Sequence, residues 1–159
     1  MNEQEKMRNA KETYSGFCSM LDKRGYHYER DDEKLAIHTS FRGDDLSMPL
    51  TVRVTPNAQL ISIFSQMPFV IKREKIGEVA LALCAVNDSI VDGSFDFKID
   101  DGRVLFRIAH AFDGSVLGEE AFEYMLNCSV STIDRFNDKL ADLNDGRMSL
   151  DQFIKFVTE

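Results

Sequence analysis

The apolar residues of this chain change their repeat as the sequence runs, and that change restricts the fold more than any single residue does. From Glu5 to Arg24 the residues Met7, Ala10, Tyr14, Phe17, Cys18 and Leu21 recur at three- and four-residue steps, the period of an amphipathic helix. Gly25 supplies its stop. The period then drops to two. Leu35, Ile37, Thr39 and Phe41 share one face of a strand, and Leu50, Val52 and Val54 share one face of another. Tyr26–Arg30 reads as the strand before them, joined by the polar turn Asp31-Asp32-Glu33-Lys34, and Leu60–Ser65 as the strand after them. Met67-Pro68-Phe69 is expected to end this sheet run, because proline cannot donate to a ladder.

Helical spacing returns from Arg73 to Val91, where Ile76, Val79, Ala80, Leu83, Asn87 and Ile90 lie near one stripe and Asp92-Gly93 ends it. A hairpin follows. Phe95, Phe97 and Ile99 alternate, Asp100-Asp101-Gly102 turns, and Val104, Phe106 and Ile108 alternate on the way back. Beyond Gly118 the positions Phe122, Met125, Leu126, Val130, Ile133, Phe136, Leu140 and Leu143 are helical again, and the Ser- and Thr-rich stretch Asn127–Thr132 is where a kink or break is expected. Ser149 and Gln152 fit the capping box of a short last helix, Leu150–Val157. The whole order predicts an α+β fold: helix, four-strand antiparallel run, helix, β-hairpin, long C-terminal helix plus short helix, as one domain over residues 1–159.

Composition removes several classes of function. The chain of 159 residues is 43% hydrophobic and 29% charged with a net charge of −8, so it has the apolar content for a core and is neither a disordered chain nor a disulfide scaffold. The negative field opposes non-specific binding to nucleic acid or anionic lipid. No run approaches the roughly 18 apolar residues of a membrane span, and the polar start MNEQEKMRNAKET lacks a signal-peptide core. A cytoplasmic location is expected. Cys18, Cys84 and Cys128 are far apart and odd in number, which favours buried helix-face thiols over a disulfide framework or a CxxC site.

Asp142–Ser149 looks like part of a calcium loop, but aligning Gly146 to the invariant sixth position puts Ala141, Leu143 and Gln152 where oxygen ligands or the closing glutamate belong. A turn and helix cap fits better. His27, His38 and His110 lack ligand spacing, and the cysteines lack an adjacent histidine. The pairs Asp31-Asp32, Asp44-Asp45 and Asp100-Asp101 fall at turns, where aspartate bonds its own backbone. The residues thus predict no catalytic set, no metal and no cofactor.

Two surfaces remain as candidates for binding. The polar strand faces (Ala36, His38, Ser40; Thr51, Arg53, Thr55; Ser94, Asp96, Lys98; Arg103, Leu105, Arg107) make a comparatively cationic sheet on an acidic protein. His38, Arg53, Lys98 and Arg107 are its expected partner-binding residues, with an ordinary solvated face as the alternative. The apolar residues Phe64, Met67 and Phe69 are read either as core beneath the second helix or as a groove or dimer surface.

Particular residues also carry a resemblance. Leu21–Tyr26, Leu46-Ser47-Met48-Pro49-Leu50-Thr51-Val52, Met67-Pro68-Phe69, the run Val86–Phe97 with Asn87, Gly93 and Phe95, and Asp101–Arg107 are similar to the signature of the bacterial YbjN-like family. The resemblance implies a fold like that of type III secretion chaperones, often homodimeric, and a loose link to bacterial stress and signalling. It carries no catalytic residues. Asn87, Gly93 and Phe95 also have a structural reading: the amide bonds nearby backbone, the glycine permits a left-handed turn, and Phe95 starts the hairpin's core face. The expected function is a non-catalytic protein-interaction module, chaperone-like or regulatory, that forms a homodimer and binds a protein partner. The alternative is a small-molecule sensor with a pocket between sheet and helices.

Overall fold

In the computed structural model, which describes residues 1–113, 115 and 117–159, the first helix starts at a reciprocal cap. Asn2 Oδ1 accepts from the Glu5 N–H at 2.9 Å while Glu5 Oε2 accepts from the Asn2 N–H at 2.8 Å, so two otherwise orphaned donors are satisfied. Helix α1 runs over Glu3–Arg24 and ends at Gly25 with φ 70°. An antiparallel meander follows as β1 (Tyr28–Asp31), β2 (Ala36–Arg42), β3 (Ser47–Thr55) and β4 (Leu60–Val70). Helix α2 (Ile76–Ser89) then carries the chain to the hairpin of β5 (Ser94–Lys98) and β6 (Arg103–Ala111). The returning strand β6 pairs with β4, which gives a six-stranded sheet in the order β1-β2-β3-β4-β6-β5. Helices α3 (Glu119–Asp145) and α4 (Leu150–Thr158) complete the chain.

Alternation decides which side of the sheet the helices cover. Ile37, Leu50, Val52, Val54, Ile61, Ile63, Val104, Phe106 and Ile108 are buried in one core with Phe17 and Leu21 of α1, Val79, Leu83 and Val86 of α2, Phe136 and Leu140 of α3 and Phe153 of α4. Aromatic edges knit the layers: Phe95 meets Phe106 at 5.3 Å and Phe136 at 6.1 Å between ring centroids, and Phe17 meets Phe122 at 5.3 Å. Such tilted pairs add about 0.5–1.5 kcal/mol each beyond the area they bury. Among the described residues no helix covers the opposite side of the sheet.

The structure bears out the α+β fold and its element order, and several boundaries move for physical reasons. Pro68 does not end the sheet. Strand β4 continues to Val70 because the β4–β6 register shifts between Gln66 and Val70, and a bulge is where a strand can hold a residue without an N–H. Helix α2 begins at Ile76 after a single 3₁₀ turn, Arg73–Lys75. The weak stretch in the third helix does not break it: α3 is continuous, with Ser129 Oγ and Ser131 Oγ each donating at 2.7 Å to the carbonyl four residues earlier. Ile99 is not core; it lies past the end of β5, 58% exposed. Among the described residues no helix is long and apolar enough to cross a membrane.

Candidate functional site

The helix-free face of the sheet brings the polar strand positions together. Register places Glu29, His38, Thr51, Phe64, Arg107 and Ser94 in one row across all the strands. Ala36, Arg53, Ser62 and Ala109 make the adjacent row. His38, Arg53, Lys98 and Arg107 therefore share a face, but its positive charge is partly neutralised. The Arg107 guanidinium donates to both carboxylate oxygens of Asp96, at 2.8 and 3.3 Å, and Arg103 pairs with Asp101. These are solvent-screened, half-exposed pairs that add little to stability, and their main effect is to hold the guanidinium groups in place. Among the described residues Arg53 and Lys98 take part in no ion pair. His38 Nδ1 lies 3.1 Å from Thr51 Oγ1 on the same face, whereas His110 pairs in register with the core residue Ile61. The histidines do not meet, and among the described residues no group of metal-ligating side chains forms.

Phe64, Met67 and Phe69 do not make one surface. Phe64 is half-buried on the open face between Thr51 and Arg107, Met67 is 2% exposed on the helix side, and Phe69 packs partly against the core. The strand period explains this, since residues an odd number apart project to opposite sides.

Asn87, Gly93 and Phe95 do meet, in a corner that fastens the sheet edge to α2. Asn87 Oδ1 accepts from the Phe95 N–H at 2.8 Å and Asn87 Nδ2 donates to the Phe95 carbonyl at 3.1 Å. The edge strand β5 thus has its outward backbone groups at Phe95 occupied by a side chain. Gly93 sits at φ 77°, and a Cβ there would overlap the Phe106 ring, so the turn before β5 admits no side chain. Asn144 repeats the device at the end of β4: its amide accepts from the Lys72 N–H at 2.8 Å and donates to the Val70 carbonyl at 3.1 Å.

A third asparagine behaves differently. The β3–β4 ladder ends at Thr51↔Phe64, while β3 stays paired with β2 as far as Ser47 and β4 with β6 as far as Val70. The two strands therefore part along a seam with Met48-Pro49 on one side, Met67-Pro68 on the other, and Ile133 and Asn137 of α3 beneath. Among the described residues Ser65 Oγ and Asn137 Nδ2 have no hydrogen-bond partner, although both are buried there. The space between the walls is too tight for a water molecule. Neither residue was expected to matter, though each had a signal: Ser65 interrupts the inward series Ile61, Ile63, Met67, and Asn137 interrupts Ile133, Phe136, Leu140.

Cys18 and Cys128 are placed for packing and not for reactivity. Burial pushes the Cys18 and Cys128 thiols up, away from the thiolate that nucleophilic chemistry needs. Cys84 departs from the expectation of buried thiols: it is exposed on α2 beside Leu81, which is 60% exposed, because both project from the side of the helix away from the sheet.

The family model YbjN, described as "Putative bacterial sensory transduction regulator", matches residues 16–142. The chain belongs to the YbjN family. Among solved structures it is similar to YbjN from E. coli, titled "a putative transcription regulator", with a TM-score of 0.59 and 15% identity over 84% of this chain and 92% of that one. It is also similar to a chain of the ExsC–ExsE complex, with a TM-score of 0.57 and 17% identity over 80% of this chain and 92% of that one. A third likeness is to an uncharacterized protein from Methanothermobacter thermautotrophicus, at a TM-score of 0.50 and 15% identity over 81% and 94% of the two chains. No curated protein matches the chain. The family expected from the sequence is thus the one found, and the fold is shared with YbjN and with a chain of the ExsC–ExsE complex.

Proposed function

We propose that this YbjN-family chain is a regulator that works by binding protein and not by catalysis, with the helix-free sheet face as its docking surface. The observation that carries the reading is the row His38, Thr51, Phe64, Arg107: an aromatic side chain half-buried at the centre of the sheet, flanked by an oriented guanidinium and without a covering helix. An aromatic or arginine anchor ringed by polar groups is what protein interfaces favour. The family description and the ExsC–ExsE complex, in which a protein of similar fold is held with another protein, support the same class of role. Arg53 and Lys98 add unpaired positive charge that would select an acidic segment.

Homodimerisation is part of the proposal. Helix α2 turns Leu81 and Cys84 outward from an otherwise apolar sequence, and a two-fold pairing of that helix would cover both copies alike. Light scattering is expected to give twice the chain mass, falling to the single mass for Leu81→Glu. A monomeric wild-type chain would remove the dimer from the proposal.

The docking face is tested by a photo-crosslinking residue at Thr51, with one at Ser15 on the outer side of α1 as control. Discrete protein adducts from Thr51 alone, lost when Arg53 and Arg107 are both changed to Glu, are the expected result. Adducts that survive the double change would overturn the assignment of the face.

A further inference from the structure

We propose that the seam between β3 and β4 is a receiving slot for a neutral hydrogen-bond acceptor, an amide carbonyl carried by a partner's extended segment lying on the open sheet face. The inference rests on the protein-binding reading above and names the chemistry that a partner presents to it. Its basis is a pair of buried donors with nothing to donate to. Ser65 Oγ and Asn137 Nδ2 are each 1% exposed at the residue level, each lacks a partner, and both face the same seam. The Asn137 amide cannot relieve this by turning over, because its Oδ1 already accepts from the Asp138 N–H at 2.6 Å. Buried polar groups in folded proteins are paired almost without exception, so two orphans sharing one slot point to a missing third group.

The walls specify what that group is. The Asn137 amide donates at the orphaned atom and the Ser65 hydroxyl is free to donate, so the visitor accepts. None of the lining residues is charged, so a carboxylate would be buried without a counter-charge, whereas an amide carbonyl would not be penalised in that way. The slot is too narrow for water when closed, which excludes a whole metabolite and suits a single group projecting from a chain. Opening is provided for. The strands share no ladder beyond Thr51↔Phe64, Pro49 and Pro68 have no N–H with which to pair across the gap, and the side chains of Met48 and Met67 yield readily. Ser47, Pro49, Gln66 and Pro68 are exposed around its mouth, next to the row that carries Thr51 and Phe64. Ser65 and Asn137 lie on the helix side of the sheet, so a carbonyl projecting from a docked segment reaches them through the gap between the parted strands.

The test uses N-methylacetamide, a free amide carbonyl, titrated into the full chain while the Asn side-chain NH₂ and backbone amide resonances are followed by NMR. The Asn137 NH₂ and Ser65 amide signals are expected to move along a saturating curve while the NH₂ of Asn87, already bonded to Phe95, stays still. Ser65→Ala is expected to weaken the response about tenfold, the loss of one hydrogen bond, and Asn137→Leu to do the same at the Ser65 amide. Shifts that never saturate, or that are unchanged in both variants, would overturn the slot. So would a long-lived water detected at the Asn137 NH₂ of the free protein. None of these failures touches the crosslinking result at Thr51, which reads the open face as a whole.

Discussion

The β5 corner and the β3–β4 seam use the same chemistry to opposite ends. At the corner, Asn87 gives both halves of its amide to the backbone of Phe95. At the seam, Asn137 uses its carbonyl oxygen and leaves its nitrogen, with the neighbouring Ser65 hydroxyl, unpartnered. A satisfied amide on an edge strand closes that stretch of edge to strand addition, since the outward N–H and C=O are no longer available. Orphaned donors do the reverse, making the closed state costlier than an occupied one. The same residue type thus seals one part of the sheet and leaves another receptive, and the difference is measurable as a difference in sign.

The largest effect is expected at the corner. Gly93→Ala puts a side chain at φ 77° and against the Phe106 ring; about 1 kcal/mol for the left-handed backbone and about 1–3 kcal/mol for the overlap predict a loss of about 3 kcal/mol in urea unfolding. Asn87→Ala comes next. It strips the partners from both backbone groups of Phe95 and is expected to lower stability by about 2 kcal/mol. At the seam the expectation reverses: Ser65→Ala and Asn137→Leu remove donors that bond nothing, and the Asp138 N–H that Asn137 Oδ1 accepts lies inside α3, where the helix ladder supplies a partner, so each should leave the free protein unchanged or up to about 1 kcal/mol more stable. A clear loss on Ser65→Ala would mean that the hydroxyl has a partner, and the contrast would collapse.

The smallest effect concerns pH. Neither the seam nor the corner amide titrates, so the difference between wild type and Asn137→Leu should be flat from neutrality to mild alkali. The β1 edge is held otherwise. Tyr14 donates to Asp32 at 2.7 Å, and burial, with that hydrogen bond second, pushes its phenol up to about 12. A raised folded pKa stabilises fully below the unfolded value near 10 and loses that contribution as pH rises through about 12. Circular dichroism between pH 10 and 12 should therefore show a loss of stability that Tyr14→Phe reduces.

Legibility from the sequence followed periodicity and caps. The alternation of Leu50, Val52 and Val54, the glycine stop at Gly25 and the capping box at Ser149 and Gln152 are local patterns, and each appears where it was read. The shared face of His38, Arg53 and Arg107 was also legible, because side-chain direction follows from the strand period alone. What escaped depends on register. That Arg107 meets Asp96, that β6 inserts beside β4, and that Ser65 and Asn137 line one seam are consequences of which strands pair and where a ladder stops. A different strand order or a one-residue shift would change them while leaving the pattern along the chain intact. Pro68 illustrates the limit: its missing N–H predicts the end of a strand, and the strand keeps going by bulging around it.

The strand order also divides the molecule by the distance its chain must travel. From β1 to β4 each strand lies against the one before it, so those contacts close short loops at small entropic cost. The β4–β6 ladder joins segments separated by α2 and β5, and contacts of that separation form late. The meander and the β5–β6 hairpin are therefore expected to appear first in pulse-labelling exchange, with protection across β4–β6 last. The parted strands β3 and β4 lie next to that final joint, on the side of the meander that waits for it.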